Sequence, residues 1–308
     1  MSATPDCYSP SGLLRPRFDW SNEEFTAKYN LAPYGFTHNL HRLDLFEHWS
    51  LRDLCRRYSQ TPADFYVSRS APTPGTPFYA MPAAGLTPEA AFDQIPGGSY
   101  KILLKRLEQH DQRFRDLLDC LVAQIRERLR DSNNDDDFVR LESAVFISAP
   151  QATTPFHFDP EVNFFSQIEG EKIYHLYPPA DLGEAEVEPL YARAEIDIGQ
   201  VDLARRTPAA ERIFHLRPGS GLHQPQDAPH WVETVGTRSI SYSIVYETRQ
   251  SRRLGRVRAL NHYLRRLHVE PVLPGRNGRL DSMKAAAMAA LLPIGKPVHR
   301  ALHKALRR

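Results

Sequence analysis

The amino-acid sequence predicts a mainly β protein with helical additions, and two features of its residue pattern support this prediction. From Glu142 onward, short segments rich in β-branched and aromatic residues alternate with turns of Pro, Gly and Asp. On either side of this region the apolar residues recur at helical spacing instead. Many short strands at close spacing favour a β-sandwich or jelly roll over a parallel α/β sheet. The predicted strands are Ser143–Ser148, Phe156–Ile168, Lys172–Tyr177, Ile213–Leu216, Gly221–Gln224, Trp231–Val235 and Ser239–Tyr246.

The N-terminal part is predicted to form an α+β cap with long irregular stretches. A helix is expected over about Leu45–Tyr58, followed by Pro- and Gly-rich loop over residues 60–98. A long amphipathic helix is expected from about Tyr100 to Arg130, with Ser99 as its cap. The whole chain is therefore predicted to divide into three regions: a cap over 1–140, a jelly-roll core over 141–248 and a basic helical region over 249–308.

Two stretches outside the predicted strands differ in charge. Residues 178–212 are acidic and predict an irregular insertion between strands, whereas 249–308 hold many Lys and Arg against only Glu270 and Asp281. Helices are expected at 254–267, 281–292 and 299–306. We expect this tail to pack an apolar face on the barrel or on a second subunit, as in a homodimer. An anionic partner, a membrane surface or a nucleic acid, is the less favoured alternative.

The bulk composition fits an ordinary globular protein. The chain has 308 residues and a net charge of +2, enough length to bury a large core. Three scattered cysteines form neither a zinc spacing nor a disulfide framework, which predicts reduced thiols and a cytoplasmic protein. The first residues lack a signal-peptide pattern, and no apolar run is long enough to span a membrane.

The chemistry-bearing stretch is Thr154-Pro155-Phe156-His157-Phe158-Asp159, which we read as a strand entering a turn. Residues two apart on a strand share a face, so His157 and Asp159 point the same way. Asn163 would join them if the pleat continued unbroken. Two His and one carboxylate on one face of an Fe(II) ion leave three positions open, and His230 is the candidate for the second His. A buried structural pair is the alternative, and His268-Val269-Glu270 offers the same residue types as a decoy in the tail.

The flanks of this stretch resemble a known family. Thr154-Pro155, His157-Phe158-Asp159, Asn163, Gln167-Ile168, Gly170 and Lys172, with the later run from Arg217 to His230, resemble the JmjC-type (cupin-like) Fe(II)/2-oxoglutarate-dependent oxygenases. The motif is most similar to that of the asparaginyl hydroxylases of hypoxia-inducible factor. The resemblance covers about residues 142–247 and implies a double-stranded β-helix.

Carried over residue by residue, the resemblance implies a role for each matching position. His157, Asp159 and His230 would bind the iron. Lys172 and Thr154 would hold the distal carboxylate of 2-oxoglutarate, and Asn163 would line its pocket, with Ser243 near the place of a further pocket residue. His223 departs from the family pattern and is expected to be a core or rim histidine. No N-terminal residue can be named that completes the co-substrate pocket.

The resemblance implies an oxidative enzyme with Fe(II), 2-oxoglutarate and O2 as its reactants. The expected substrate is a peptide, a protein side chain or a small metabolite. A cupin-like metal-binding sensor without oxidative turnover is the alternative from another class, and a metal-dependent isomerase or lyase on the same barrel is a third. A buried lysine opposite the triad favours the oxygenase, because a dicarboxylate inside a barrel needs a cation at its far end.

Overall fold

Eleven strands in the described part of the chain form one hydrogen-bonded sheet. The structure, a computed structural model, describes residues 14–77, 85–95, 97–98, 100–132, 137–193 and 198–305, with side chains as far as Leu291. The strands are β1 (Phe18–Asp19), β2 (Tyr34–His38), β3 (Phe65–Arg69), β4 (Tyr100–Lys105), β5 (Phe138–Ser148), β6 (Thr153–Phe158), β7 (Val162–Leu176), β8 (Gly199–Gln200), β9 (Arg212–Leu216), β10 (Ser220–Gln224) and β11 (His230–Thr248). The helices are α1 (Asn22–Lys28), α2 (His48–Tyr58), α3 (Pro88–Gln94), α4 (Leu107–His110), α5 (Gln112–Asp131), α6 (Glu184–Tyr191), α7 (Arg249–Arg266) and α8 (Gly278–Ala305).

The sheet has the strand order β1-β2-β10-β7-β11-β5-β4-β3, and β6, β8 and β9 pair outside this path. Every strand pair among the described residues is antiparallel. This pairing agrees with a jelly roll and excludes a parallel α/β sheet. This confirms the predicted mainly β fold with helical additions. The strands of the predicted cap share ladders with those of the predicted core, because β4 pairs with β5 and β2 pairs with β10.

Two long strands, β7 and β11, form the spine of the sheet. They pair along both their lengths, with register shifts between Val235 and Ser241. The expected turn at Gly170 is wrong, because β7 runs through Gly170, which has φ +67°. A Cβ there would lie 2.1 Å from the Arg238 carbonyl oxygen, so only glycine allows the two backbones to approach this closely. The two strands predicted at 231–235 and 239–246 are likewise halves of β11.

The long helix predicted from Tyr100 to Arg130 is wrong in its first part. Tyr100–Lys105 is strand β4, which pairs with both β3 and β5. Ile102 and Leu104 are buried at strand spacing, and Arg106 then takes a left-handed conformation that separates the strand from α4. Ser99, the predicted cap, lies outside the described residues. The predicted apolar stripe is confirmed on α5, where it comprises Phe114, Leu117, Leu118, Leu121, Ile125 and Leu129.

The central strands have two different faces. Alternate residues such as Val145, Phe164 and Tyr242 pack with α5 in the main core. The residues between them, among them Phe146 and Phe165, pack in a separate inner cluster. Ser239, Ser241 and Ser243 of β11 share this inner face and are buried.

Residues 178–212 are more regular than predicted. They contain α6 and the short strand β8, which pairs with β6 at His157 and Phe158. Helix α7 packs along α6, and Arg258 of α7 binds Glu184 of α6. Part of the basic charge of the tail is therefore used in internal ion pairs.

Three smaller predictions have mixed outcomes. Two helices were expected over 281–292 and 299–306, but α8 is continuous to Ala305. Cys55 is buried and free, whereas Cys120 is disulfide-bonded, so the expectation of reduced thiols is wrong at Cys120. None of the described helices is both long and apolar enough to be a candidate membrane span.

Candidate metal centre

The register of three strands brings the predicted site residues to one face. His157 of β6 pairs directly with His230 of β11, and Thr154 pairs with Val232. Because three residues of β6 are matched by two of β11, β6 contains a bulge between Thr154 and His157. Directly opposed residues share a face, so this bulge places Thr154 on the same side as His157 despite their odd spacing.

The ligand atoms of His157, Asp159 and His230 lie within 4.8 Å of one another. Each histidine Nε2 is 3.7 Å from a different oxygen of Asp159, and the two imidazole ring centroids are 4.2 Å apart. Two imidazoles and one carboxylate grouped in this way suit a divalent transition-metal ion with open coordination positions.

Both histidines are held in the form that binds metal. The Nδ1 atom of His157 lies 2.7 Å from the Pro155 carbonyl oxygen, and that of His230 lies 3.0 Å from the Ala228 carbonyl oxygen. An Nδ1–H that donates to a carbonyl leaves the Nε2 lone pair free on the side that faces Asp159. Burial lowers the pKa of each imidazole to about 4, so both rings are neutral at neutral pH.

A second layer of side chains orients these ligands. Gln224 of β10 donates to Asp159 Oδ2 at 3.4 Å and accepts from the Tyr174 hydroxyl. The Tyr174 ring stacks on His230 with a centroid distance of 5.3 Å. The backbone N–H of Asp227 donates to the Asp159 carbonyl oxygen, which ties the loop before His230 to the other ligand segment. Sequence reasoning missed Gln224 and Tyr174, because only the tertiary pairing brings them to the triad.

Lys172 lies on the same inner face as the triad. It is opposite Thr234 on β11, and His230 is four residues earlier on that strand. The side chain is 5% exposed, and its Nζ lies 5.7 Å and 5.2 Å from the ring centroids of Phe146 and Phe165. No acceptor or carboxylate among the described residues binds this amine. Burial, together with the charge of Lys101, lowers the pKa of Lys172 to about 7.

A second lysine, which the sequence did not single out, lies on the same inner face. Lys101 of β4 donates to the Thr153 carbonyl oxygen at 2.9 Å and to the Thr154 hydroxyl at 3.4 Å. Burial lowers its pKa to about 8. Sequence analysis missed Lys101 because it predicted a helix at this position. The inward direction of Lys101 follows only from the alternation of side chains along a strand.

The remaining candidate residues separate into two groups. Asn163 lies on the inner face and accepts a hydrogen bond from Ser243 at 2.6 Å, so these two predicted pocket residues are in contact. His223 packs on Tyr34 and Phe164 in the opposite core, which matches the expectation of a core histidine. The decoy Glu270 binds Arg265 in the tail instead of approaching the triad.

The family model described as the cupin-like domain matches residues 90–252, more than half of the 308-residue chain. Its start lies before β4, in agreement with the continuity of the sheet across residue 140.

Solved structures of YcfD from Escherichia coli have a similar fold. One, described as the X-ray structure of the protein, has a TM-score of 0.54 at 15% identity and covers 91% of this chain and 69% of YcfD. Another, described as a ribosomal oxygenase in complex with cobalt and 2-oxoglutarate, has a TM-score of 0.52 at 14% identity, with coverages of 90% and 68%. At such low identity the likeness shows the fold alone. The family match is direct, and this chain belongs to the cupin-like domain family.

Proposed function

We propose that this protein is an Fe(II)- and 2-oxoglutarate-dependent dioxygenase that hydroxylates a peptide, a protein side chain or a small metabolite. One observation carries the proposal: a His-Asp-His triad shares the inner face of the sheet with Lys172, a buried lysine whose amine lies beside two aromatic rings and has no hydrogen-bond acceptor among the described residues. The triad suits a divalent ion, and the lysine suits a carboxylate. A metal-binding sensor would have no need of the second feature.

His157, Asp159 and His230 would hold the metal ion. The donor set fits, because both imidazoles are neutral, both Nδ1 atoms face carbonyl oxygens, and both Nε2 atoms face Asp159. Gln224 would keep the Asp159 carboxylate in place. When bound, Fe(II) with 2-oxoglutarate and O2 would supply the oxidising power for inserting an oxygen atom into a C–H bond.

Lys172, Thr154 and Asn163 would hold the co-substrate. A buried ammonium group without a counter-charge is unfavourable, and a carboxylate would remove that penalty with a charge-assisted hydrogen bond. Phe146, Phe165 and Tyr174 would exclude water from the carbon chain of the ligand. Asn163 is held by Ser243 on the same face and would line the cavity.

The nature of the substrate is supported by comparison alone. The related fold of YcfD belongs to a protein described as a ribosomal oxygenase, which favours a protein substrate here and a cytoplasmic location.

The test measures succinate released from 2-oxoglutarate by the purified full chain with Fe(II) and O2. We expect release by the wild type and none by Asp159→Ala. Glu233→Gln removes a carboxylate from the other face of β11 and should retain activity. A proteome or peptide screen for a mass gain of one oxygen then identifies the substrate. Metal and 2-oxoglutarate binding without succinate formation under any substrate would instead indicate a sensor.

A further inference from the structure

Lys101 of β4 is a partly buried cation in the candidate site that no sequence motif identifies. We infer that Lys101 is a co-substrate-binding residue, whose ammonium group forms with Lys172 a two-cation clamp for the distal carboxylate of a 2-oxo dicarboxylate. This inference rests on the proposed function, which names the co-substrate but assigns its distal carboxylate to Lys172 and Thr154 alone.

The sheet register places Lys101 inside the barrel. Lys101 is directly opposite Ser148 of β5, and Ser148 is directly opposite Ser239 of β11. Opposed residues share a face, and Ser239 lies on the inner face with Ser241 and Ser243. Lys101 is therefore on the face that also holds Phe146, one of the two rings beside the Lys172 amine. Its hydrogen bond to the Thr154 hydroxyl places its amine beside β6, the strand that carries His157.

The hydrogen bonds of Lys101 leave capacity for a ligand. Its ammonium group has three N–H donors and no acceptor. Two acceptors, the Thr153 carbonyl oxygen and the Thr154 hydroxyl oxygen, are present among the described residues. One donor of Lys101 is therefore free for a carboxylate oxygen.

The contact with Lys101 also determines the direction of the hydrogen bonds that the Thr154 hydroxyl can make. Because a lysine only donates, the Thr154 hydroxyl oxygen must accept in this pair. The hydroxyl hydrogen is then free to donate to a carboxylate in the cavity. Lys101 would thus bind the co-substrate both directly and through Thr154.

Another buried lysine of this chain shows what a purely structural role looks like. Lys284 of α8 is 5% exposed, like Lys172, but donates to the Asn261 side chain and to the Val272 carbonyl oxygen, each at 2.7 Å. Among the described residues, Lys172 has no such acceptor and lies beside two aromatic rings, and the charge of Lys101 makes its own charge harder to accommodate. Two lysines on one inner face, with no carboxylate bound to either of them among the described residues, fit a ligand that brings a full negative charge between them.

The experiment measures binding to the Mn(II)-loaded full chain by isothermal titration calorimetry, which requires no turnover. Two ligands are compared: 2-oxoglutarate, and 2-oxopentanoate, which has the same chain length but no distal carboxylate. For Lys101→Met we expect a loss of affinity for 2-oxoglutarate of about ten- to a hundredfold. The affinity for 2-oxopentanoate should change by less than about threefold, because that ligand has no group for the clamp. Lys101→Arg keeps the charge and should retain most of the affinity for 2-oxoglutarate.

Lys105→Met is the matched control, since it removes the same charge from the same strand without contacting Thr154. It should leave both affinities unchanged. Should Lys101→Met fail to fold, Lys101→Gln retains a donor for Thr154 without the charge and is expected to lose 2-oxoglutarate affinity in the same way. Equal weakening of both ligands would show that Lys101 only supports β6, and would overturn the inference alone. Wild-type protein that binds neither ligand would overturn the proposed function together with it.

Discussion

His230 begins β11 directly opposite His157 on β6, and the two imidazole centroids are 4.2 Å apart. They are about 70 residues apart in the sequence. Their direct pairing between β6 and β11 is what brings them together. Each ring is oriented by a carbonyl oxygen two residues earlier in its own segment, Pro155 for one and Ala228 for the other. This local repetition makes both ligands rigid before any ion binds.

Gln224 is expected to tune the metal site through Asp159. In Gln224→Leu the carboxylate loses a donor and Tyr174 loses an acceptor, while the volume of the side chain is kept. Metal affinity should fall by about 10- to 100-fold, as is typical for residues that orient a ligand. Competition titration with a chromogenic chelator measures this directly. The exposed Gln109→Leu is the control, and unchanged affinity in Gln224→Leu would contradict a role in orientation.

Lys172→Met is expected to stabilise the metal-free protein while it abolishes 2-oxoglutarate binding. The pKa of Lys172 is about 7 in the folded protein and near its ordinary value of 10.5 when unfolded. Between these pH values the unfolded chain binds more protons, so the free energy of unfolding of the wild type rises with pH. Below pH 7 the buried charge costs the folded state up to roughly 5 kcal/mol, which the variant avoids.

The gain in melting temperature of Lys172→Met over wild type should therefore be larger at pH 6.5 than at pH 9.5. Thermal unfolding in the presence of EDTA at both pH values provides the measurement. Taking the difference between the two proteins cancels the titration of all other groups. A gain that does not depend on pH would mean that Lys172 is not a buried cation.

Gly170→Ala is expected to destabilise the protein by about 2–4 kcal/mol, because the new Cβ would overlap the Arg238 carbonyl oxygen as well as adopt a left-handed φ. Gly236 separates these two causes, since its φ is +72° but a Cβ there would have nothing within 4 Å. Gly236→Ala should cost only about 1 kcal/mol. Urea unfolding of both variants tests the difference, and equal costs would show that the close approach of β7 and β11 is not limiting.

Arg258→Met is expected to destabilise the protein by about 3–5 kcal/mol, because Asp227 would remain as a buried and unpaired carboxylate. Burial already raises the pKa of Asp227, and Arg258 opposes that shift. The second change Asp227→Asn should recover much of the loss. Arg253→Met, on the exposed side of the same helix, should stay within about 0.5 kcal/mol of wild type. Chemical unfolding of the four proteins measures this coupling, and a double variant as unstable as Arg258→Met would contradict it.

Asp227 also connects the tail to the metal centre. It lies in the loop before His230, and its backbone N–H binds the carbonyl of Asp159. The Arg258→Met variant should therefore also bind metal more weakly, and the same chelator competition detects this. The basic tail contributes to the site through this contact.

The sequence by itself determined the fold class, and it singled out the residues of the candidate triad and Lys172. Strand alternation placed His157 and Asp159 on one face, and the resemblance of the flanking residues supplied His230, Thr154 and Asn163. These features are local, because a pleat of period two and a short motif can both be read from neighbouring residues.

Only the tertiary structure decided where Tyr100–Lys105 lies and what Lys101, Gln224 and Arg258 do. The segment from Tyr100 has enough Leu and Lys to favour a helix, but its ladders with β3 and β5 make it a strand. Gly170 is likewise compatible with either a turn or a continuous bent strand. Pairing with β11 on both sides of Gly170 makes it part of a continuous strand. Pairing between distant strands is a property of the whole sheet, which no window of neighbouring residues contains.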